Sequence, residues 1–340
     1  KIKKLIVPKL NSIQIFNTKI ILKGDYCDFD LDTYYRDLGI NQTFKQKVNI
    51  FLEIADNLSI FHEAGFVHLD FKPHNIMSCQ KEWKLIDFGE SKYINDLQYK
   101  TFLRLLRAPG TPGYYSPEKV ACLFFNVHYN MDGTGKFSKE ISQSDEIYKT
   151  VKEMITNIDK NIEDREYLKK ILKAIDLWVL IIIWIELIMN DGINYWRRNL
   201  PYENVGNMDF FIFMIYAVSI SDIEPLLNKN VFQTLENFDI IENQLYDKIK
   251  KPMGMSKSII KSNQQKTIKQ IWNEDNKEKK DRNPGIFIKY KEGLNKYLLD
   301  SETHKELDKH LFRMFFGKWE NRKDNIDDFK RYLRTLINEK

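Results

Sequence analysis

Phe66-Val67-His68-Leu69-Asp70-Phe71-Lys72-Pro73-His74-Asn75-Ile76-Met77, followed by Leu85-Ile86-Asp87-Phe88-Gly89-Glu90, is the stretch that decides the fold. Two carboxylates, an ammonium and an amide sit there among apolar neighbours. Just upstream, residues 43–64 read as a helix. Thr43 and Gln46 form a T-x-x-Q capping box, and Val48, Phe51, Leu52, Ala55 and Leu58 fall on one stripe of 3.6-residue period. Gly65 is expected to end this helix in a left-handed cap. Further upstream, residues 5–24 read as two strands, with Ile13 and Ile15, then Ile20, Ile21 and Leu22, around a break at Asn17-Thr18. Short strands are expected at 75–77 and 83–86. Residues 177–189 form a 13-residue apolar run that contains Glu186. A bilayer span takes about 20 residues, so this run reads as a buried core helix and no membrane span is expected.

Composition fits a globular chain. At 340 residues, 43% apolar and 13% aromatic, it can bury one or two sizeable cores, which excludes general disorder. With 14 Gly, 9 Pro and 3 Cys it is neither collagen-like nor a disulfide scaffold. Cys27, Cys79 and Cys122 are odd in number and lack metal-ligand spacing, which suits a reducing, intracellular, cytoplasmic setting. A net charge of +5 does not argue for nucleic acid. Residues 130–170 and 248–283 are polar and read as inserts. Met131-Asp132-Gly133-Thr134-Gly135 lacks the Lys-Ser/Thr partner of a P-loop.

Phosphoryl transfer requires a carboxylate to orient the attacking hydroxyl, a cation on the transferring phosphate, and oxygen ligands for Mg²⁺. Asp70, Lys72, Asn75 and Asp87 supply that set. Here the sequence resembles the eukaryotic protein kinase family. His68 to Asn75 resembles its catalytic loop H-R-D-x-K-P-x-N, Asp87-Phe88-Gly89 its metal motif. Gly110-Thr111-Pro112-Gly113-Tyr114-Tyr115-Ser116-Pro117-Glu118 resembles its substrate-loop signature. Asp176, Trp178, Glu186 and Leu187 resemble its buried-helix signature, and Arg322 its last characteristic arginine.

The resemblance implies an α+β fold, with a mainly helical large lobe and a remnant of an antiparallel β small lobe. Residues 1–24 would be that remnant. Residues 25–340 would be the hinge and large lobe, with inserts near 122–170 and 225–305. By matching position, Asp70 resembles the catalytic base, Lys72 the phosphate-contacting lysine, and Asn75 and Asp87 the metal ligands. Thr111 resembles the threonine that bonds the catalytic Asp and Lys. Asp25 and Cys27 fall where the family's backbone groups meet adenine, Met77 on the floor of the adenine pocket. Glu118 and Arg322 would form a buried ion pair, and Asp176 would hold the catalytic loop from below. The implied activity is transfer of the ATP γ-phosphoryl group, with Mg²⁺, to a Ser/Thr hydroxyl of a protein substrate.

The family's Arg between His and Asp is Leu69 here, so the usual receiver of a phosphorylated loop is missing. Gly24 falls at the gatekeeper position and predicts a deep back pocket. His62 and His74 read as ordinary polar positions. No Gly-rich loop or strand lysine precedes Asp25, and the chain starts at Lys1, which favours a truncated sequence with weak ATP binding and little activity. A pseudokinase scaffold and a small-molecule phosphotransferase of similar fold are the alternatives.

Overall fold

The computed structural model describes residues 7–16, 19–95, 163–190, 286–297, 299–316 and 319–338, with shorter pieces at 98, 102, 105, 110, 111, 114–116, 118, 119 and 161. Most of the two expected inserts lies outside these residues. Strand β1 (Leu10–Phe16) pairs antiparallel with β2 (Lys19–Gly24). The pairing carries on one step, where the Asp25 N–H donates to the Lys9 carbonyl at 2.9 Å. A Cβ on Gly24 would stand 2.9 Å from that same carbonyl oxygen. A side chain at this position would therefore press on the strand carbonyl.

After residues 25–28, β3 (Phe29–Asp30), β5 (Ile76–Cys79) and β6 (Glu82–Leu85) form an antiparallel sheet in the order β3-β5-β6. β4 (Phe66–Val67) pairs with β7 (Lys92–Tyr93). The long helix α1 runs over Phe44–Glu63 and carries the expected capping box. The Gln46 N–H donates to Thr43 Oγ1 at 3.2 Å, and the Thr43 N–H donates to Gln46 Oε1 at 2.8 Å. Gly65 follows with φ +87°, the left-handed geometry a side chain would resist.

Helix α2 (Arg165–Met189) is the axis of the molecule. Every residue from Ala174 to Ile188 is buried, as a helix apolar on all sides must be. Around it pack α1, α3 (Ile286–Asn295), α4 (Ser301–Phe316) and α5 (Arg322–Asn338). Trp184 lies edge-on to Phe51 at 5.3 Å and to Phe329 at 5.0 Å, and its indole N–H donates to the Tyr290 hydroxyl at 3.0 Å. No helix among the described residues is long and apolar enough to cross a membrane.

Two links were not legible from local pattern. Cys27 and Cys79 form a disulfide, which neither the odd cysteine count nor the reducing setting read from it foretold. They are 52 residues apart. The pairing of β3 with β5, extended by the Asp28 N–H donating to the Ser78 carbonyl at 2.8 Å, lays the segment before β3 alongside the end of β5. In non-reducing denaturant one cysteine should take up iodoacetamide, and all three after reduction. Mass spectrometry checks this, and three adducts before reduction would remove the bond.

The second link is Lys47, only 1% exposed. Its ammonium donates to the Gly39 carbonyl at 3.1 Å, to the Leu187 carbonyl at 2.8 Å and to Asn190 Oδ1. It thereby satisfies a carbonyl in the last turn of α2 that has no partner within the helix. Burial, helped by the charge of Lys296, lowers its pKa to about 8. Between about pH 8 and the ordinary lysine value, the unfolded chain holds more protons than the folded one, so this group's contribution to stability rises with pH. Relative to Lys47→Met, the wild-type chain should gain about 2 kcal/mol between pH 8 and 10, read from urea midpoints.

Candidate active site

The loop from His68 to Asn75 leaves β4 through Leu69, whose φ of +65° is left-handed in a residue that is not glycine. Such a conformation costs about 1–2 kcal/mol and requires external support. Asp176 of α2 provides it. One carboxylate oxygen accepts the His68 N–H at 2.7 Å, the other the Leu69 N–H at 2.8 Å. His62 Nε2 meets the same carboxylate at 2.9 Å. His62 is thus no ordinary polar position: it is buried and ties the end of α1 to this anchor. Burial works against ionisation of Asp176, but the His62 hydrogen bond, the charges of His62 and His68, and the His68 N–H outweigh it and hold the pKa low.

Above this anchor, Asp70, Lys72 and Thr111 close a ring of hydrogen bonds. The Lys72 ammonium donates to Asp70 Oδ2 at 2.7 Å and to Thr111 Oγ1 at 2.7 Å. The Thr111 hydroxyl and N–H donate to Asp70 Oδ1 at 2.9 and 3.0 Å. Partial burial raises the Asp70 pKa, but the bonds from Lys72 and Thr111 more than offset it, leaving the carboxyl below its usual range. A carboxylate has about four lone-pair sites. Oδ1 takes two short donors, whereas Oδ2 takes Lys72 and only a long 3.4 Å approach from Asn75. Open capacity therefore lies on Oδ2.

Asn75 Nδ2 donates to the Asp70 carbonyl at 2.9 Å, which fixes the amide, and among the described residues its oxygen receives no hydrogen bond. Its backbone carbonyl accepts the Ile86 N–H at 3.0 Å, and His68 Nε2 meets the Ile86 carbonyl at 3.0 Å. These bonds set Asp87 beside the loop. Asp87 is left-handed, φ +56°, and among the described residues its carboxylate receives only the Gly89 N–H at 3.5 Å. An amide oxygen and a nearly unengaged carboxylate on adjoining segments suit a hard divalent cation.

Asp25, Cys27 and Met77 lie on neighbouring elements rather than in this ring. Met77 is in register with Asp30 and Lys84. The Asp25 carboxylate accepts the Lys9 N–H at 2.9 Å and lies 3.8 Å from the Lys84 ammonium, a buried cation absent from the sequence reading. Glu118 and Arg322 meet as a two-pronged pair at 3.0 and 2.7 Å, fully buried. Arg322 also donates to the Ala174 carbonyl at 2.8 Å and lies 5.3 Å from the Trp178 ring.

Residues 4–175 match the protein kinase domain, and the chain belongs to that family. It is 30% identical over 125 residues to a cyclin-dependent kinase 4 homolog of Caenorhabditis elegans, covering 36% of this chain and 29% of that protein. Over 82 residues it is 36% identical to the serine/threonine-protein kinase PknG of Mycolicibacterium smegmatis, covering 24% of this chain and 10% of the other. Aurora kinase B of Mus musculus is 33% identical over 89 residues, 25% of this chain and 24% of that one. The chain thus spans under a third of the length of each of these relatives.

Removing one member of the Glu118–Arg322 pair leaves a buried charge without its partner. Arg322→Met should cost about 3–5 kcal/mol in denaturant unfolding. The double variant Glu118→Leu/Arg322→Met should lose less than either single change. Fully additive losses would show that the two side chains act independently.

Proposed function

We propose that the chain carries the catalytic machinery of a serine/threonine protein kinase, which moves the γ-phosphoryl group of ATP to a protein hydroxyl. The observation that carries this reading is the closed Asp70–Lys72–Thr111 ring, with its open lone pair on Asp70 Oδ2. An ionised carboxylate held in place by a cation and a hydroxyl can orient an incoming alcohol and accept its proton late in transfer. Lys72, already at Asp70, would meet the negative charge on the transferring group. Thr111 links that pair to the loop that faces the substrate, and this spacing of Asp70 and Lys72 is the serine/threonine pattern.

Asn75 and Asp87 would hold Mg²⁺, which when bound neutralises charge on the phosphate oxygens. Backbone groups of Asp25 and Cys27 would receive adenine, with Met77 beneath it. In this reading residues 1–24 belong to a small lobe, residues 25–340 to the hinge and large lobe. Protein rather than small-molecule acceptors follow from the resemblance of residues 110–118 to the family's substrate-loop signature.

Radiolabelled ATP and a mixed Ser/Thr and Tyr peptide set test the proposal. Asp70→Asn should lower transfer by about 10²–10⁴-fold with its fold intact. Asp87→Asn should abolish Mg²⁺-dependent nucleotide binding in a fluorescent ATP titration. Undiminished transfer by Asp70→Asn would sink the assignment.

A further inference from the structure

We propose that Lys119 is a positioning residue for Asp70: a buried cation, carried just past the substrate loop, that grips the peptide on which the Asp70 carboxylate stands. The proposal rests on the reading of Asp70 given above. It starts from Leu69, which supplies no cation where the resemblance leads one to expect an arginine, and which holds a left-handed backbone. Its N–H is taken by Asp176. Its carbonyl, the one joined to Asp70, accepts the Lys119 ammonium at 3.4 Å.

Lys119 is 1% exposed, an unusual place for an ammonium. Its surroundings account for it. The ammonium lies 4.8 Å from the centre of the Tyr115 ring, within cation–π range. Burial lowers its pKa, while Asp70, Asp176 and Glu90 work to keep it charged. A Cβ built on Gly110 would stand 2.7 Å from the ammonium nitrogen. Lys119 therefore packs against the residue before Asp70 and the residue before Thr111 at once.

The rest of its setting is equally fixed. The Lys119 N–H donates to the buried Ser116 hydroxyl at 3.3 Å, and the preceding Glu118 is locked by Arg322. The Tyr115 hydroxyl donates to the Gly110 carbonyl at 2.9 Å and accepts the Gly110 N–H at 3.2 Å. Lys119 and Tyr115 together clamp the two segments whose side chains form the Asp70–Thr111 bond. The cation comes from the substrate-loop side and the acceptor from the catalytic loop, so the two are joined without a phosphate group.

Hydrogen exchange on the full 340-residue chain tests this, with Lys119→Met, Lys119→Gln and Lys119→Arg. Met and Gln should speed exchange of the 66–72 amides by about tenfold, with Arg within about twofold of wild type. If Lys119→Met does not fold, the contrast between Gln and Arg decides. Unchanged exchange with Gln, or equal loosening by Gln and Arg, overturns the proposal. In phosphoryl transfer, Met and Gln should lower kcat by about tenfold and leave the KM for ATP unchanged. The exchange result judges the clamp whatever the level of transfer, while transfer that Asp70→Asn leaves undiminished counts against the proposed function.

Discussion

The carboxylate of Asp176 is the joint on which the site hangs. It accepts two consecutive backbone N–H groups and a histidine, and so converts a strained loop into a fixed one. Backbone donors arranged in this way favour the ionised carboxylate despite complete burial. The loop cannot relax at Leu69 without leaving two N–H groups and a carboxylate unsatisfied inside the protein, and each such group is costly. The strain at Leu69 is therefore offset locally, by the residue that also sets the height of the loop above α2.

That height is reliable because α2 has nowhere to go. A helix buried on every face is held by packing from all directions, and core packing resists even small shifts. Asp176 enters from one side of it, Glu186 from another, where its carboxylate accepts the Tyr114 hydroxyl at 3.1 Å. The His68–Asn75 loop and Tyr114 are thus referenced to the same rigid rod. Arg322 adds a third tie through the Ala174 carbonyl. Relative positions of Asp70, Lys72 and Thr111 follow from one shared anchor rather than from three independent loops.

Local chemistry was legible in the sequence wherever cause and effect lie within a few residues. The Thr43–Gln46 box, the Gly65 cap, the apolar stripe of α1 and the buried run of α2 all have that character. The polar cluster was legible for a different reason, since its residue types and spacing carry a chemical requirement. Partnerships across long separations were legible only in part. Glu118 with Arg322 and Asp176 with the loop follow from resemblance, whereas nothing near His62, Lys47, Lys84 or Lys119 marks them as buried. Each is a polar side chain that by itself favours water, and its burial depends on which distant carbonyl or carboxylate arrives beside it. Cys27 and Cys79 are the same case in covalent form.

Gly24 leads somewhere else. Its missing side chain is the room into which the Lys9 carbonyl fits, at the register step that carries the strand pair on to Asp25. At most strand positions the bulk of a residue can be varied without touching the backbone. At residue 24 the neighbour is main chain. Enlarging the residue would push the Lys9 carbonyl away and open the pairing step before a side chain could find room, so what this position presents is fixed by strand pairing and lies beyond the reach of a single side-chain exchange.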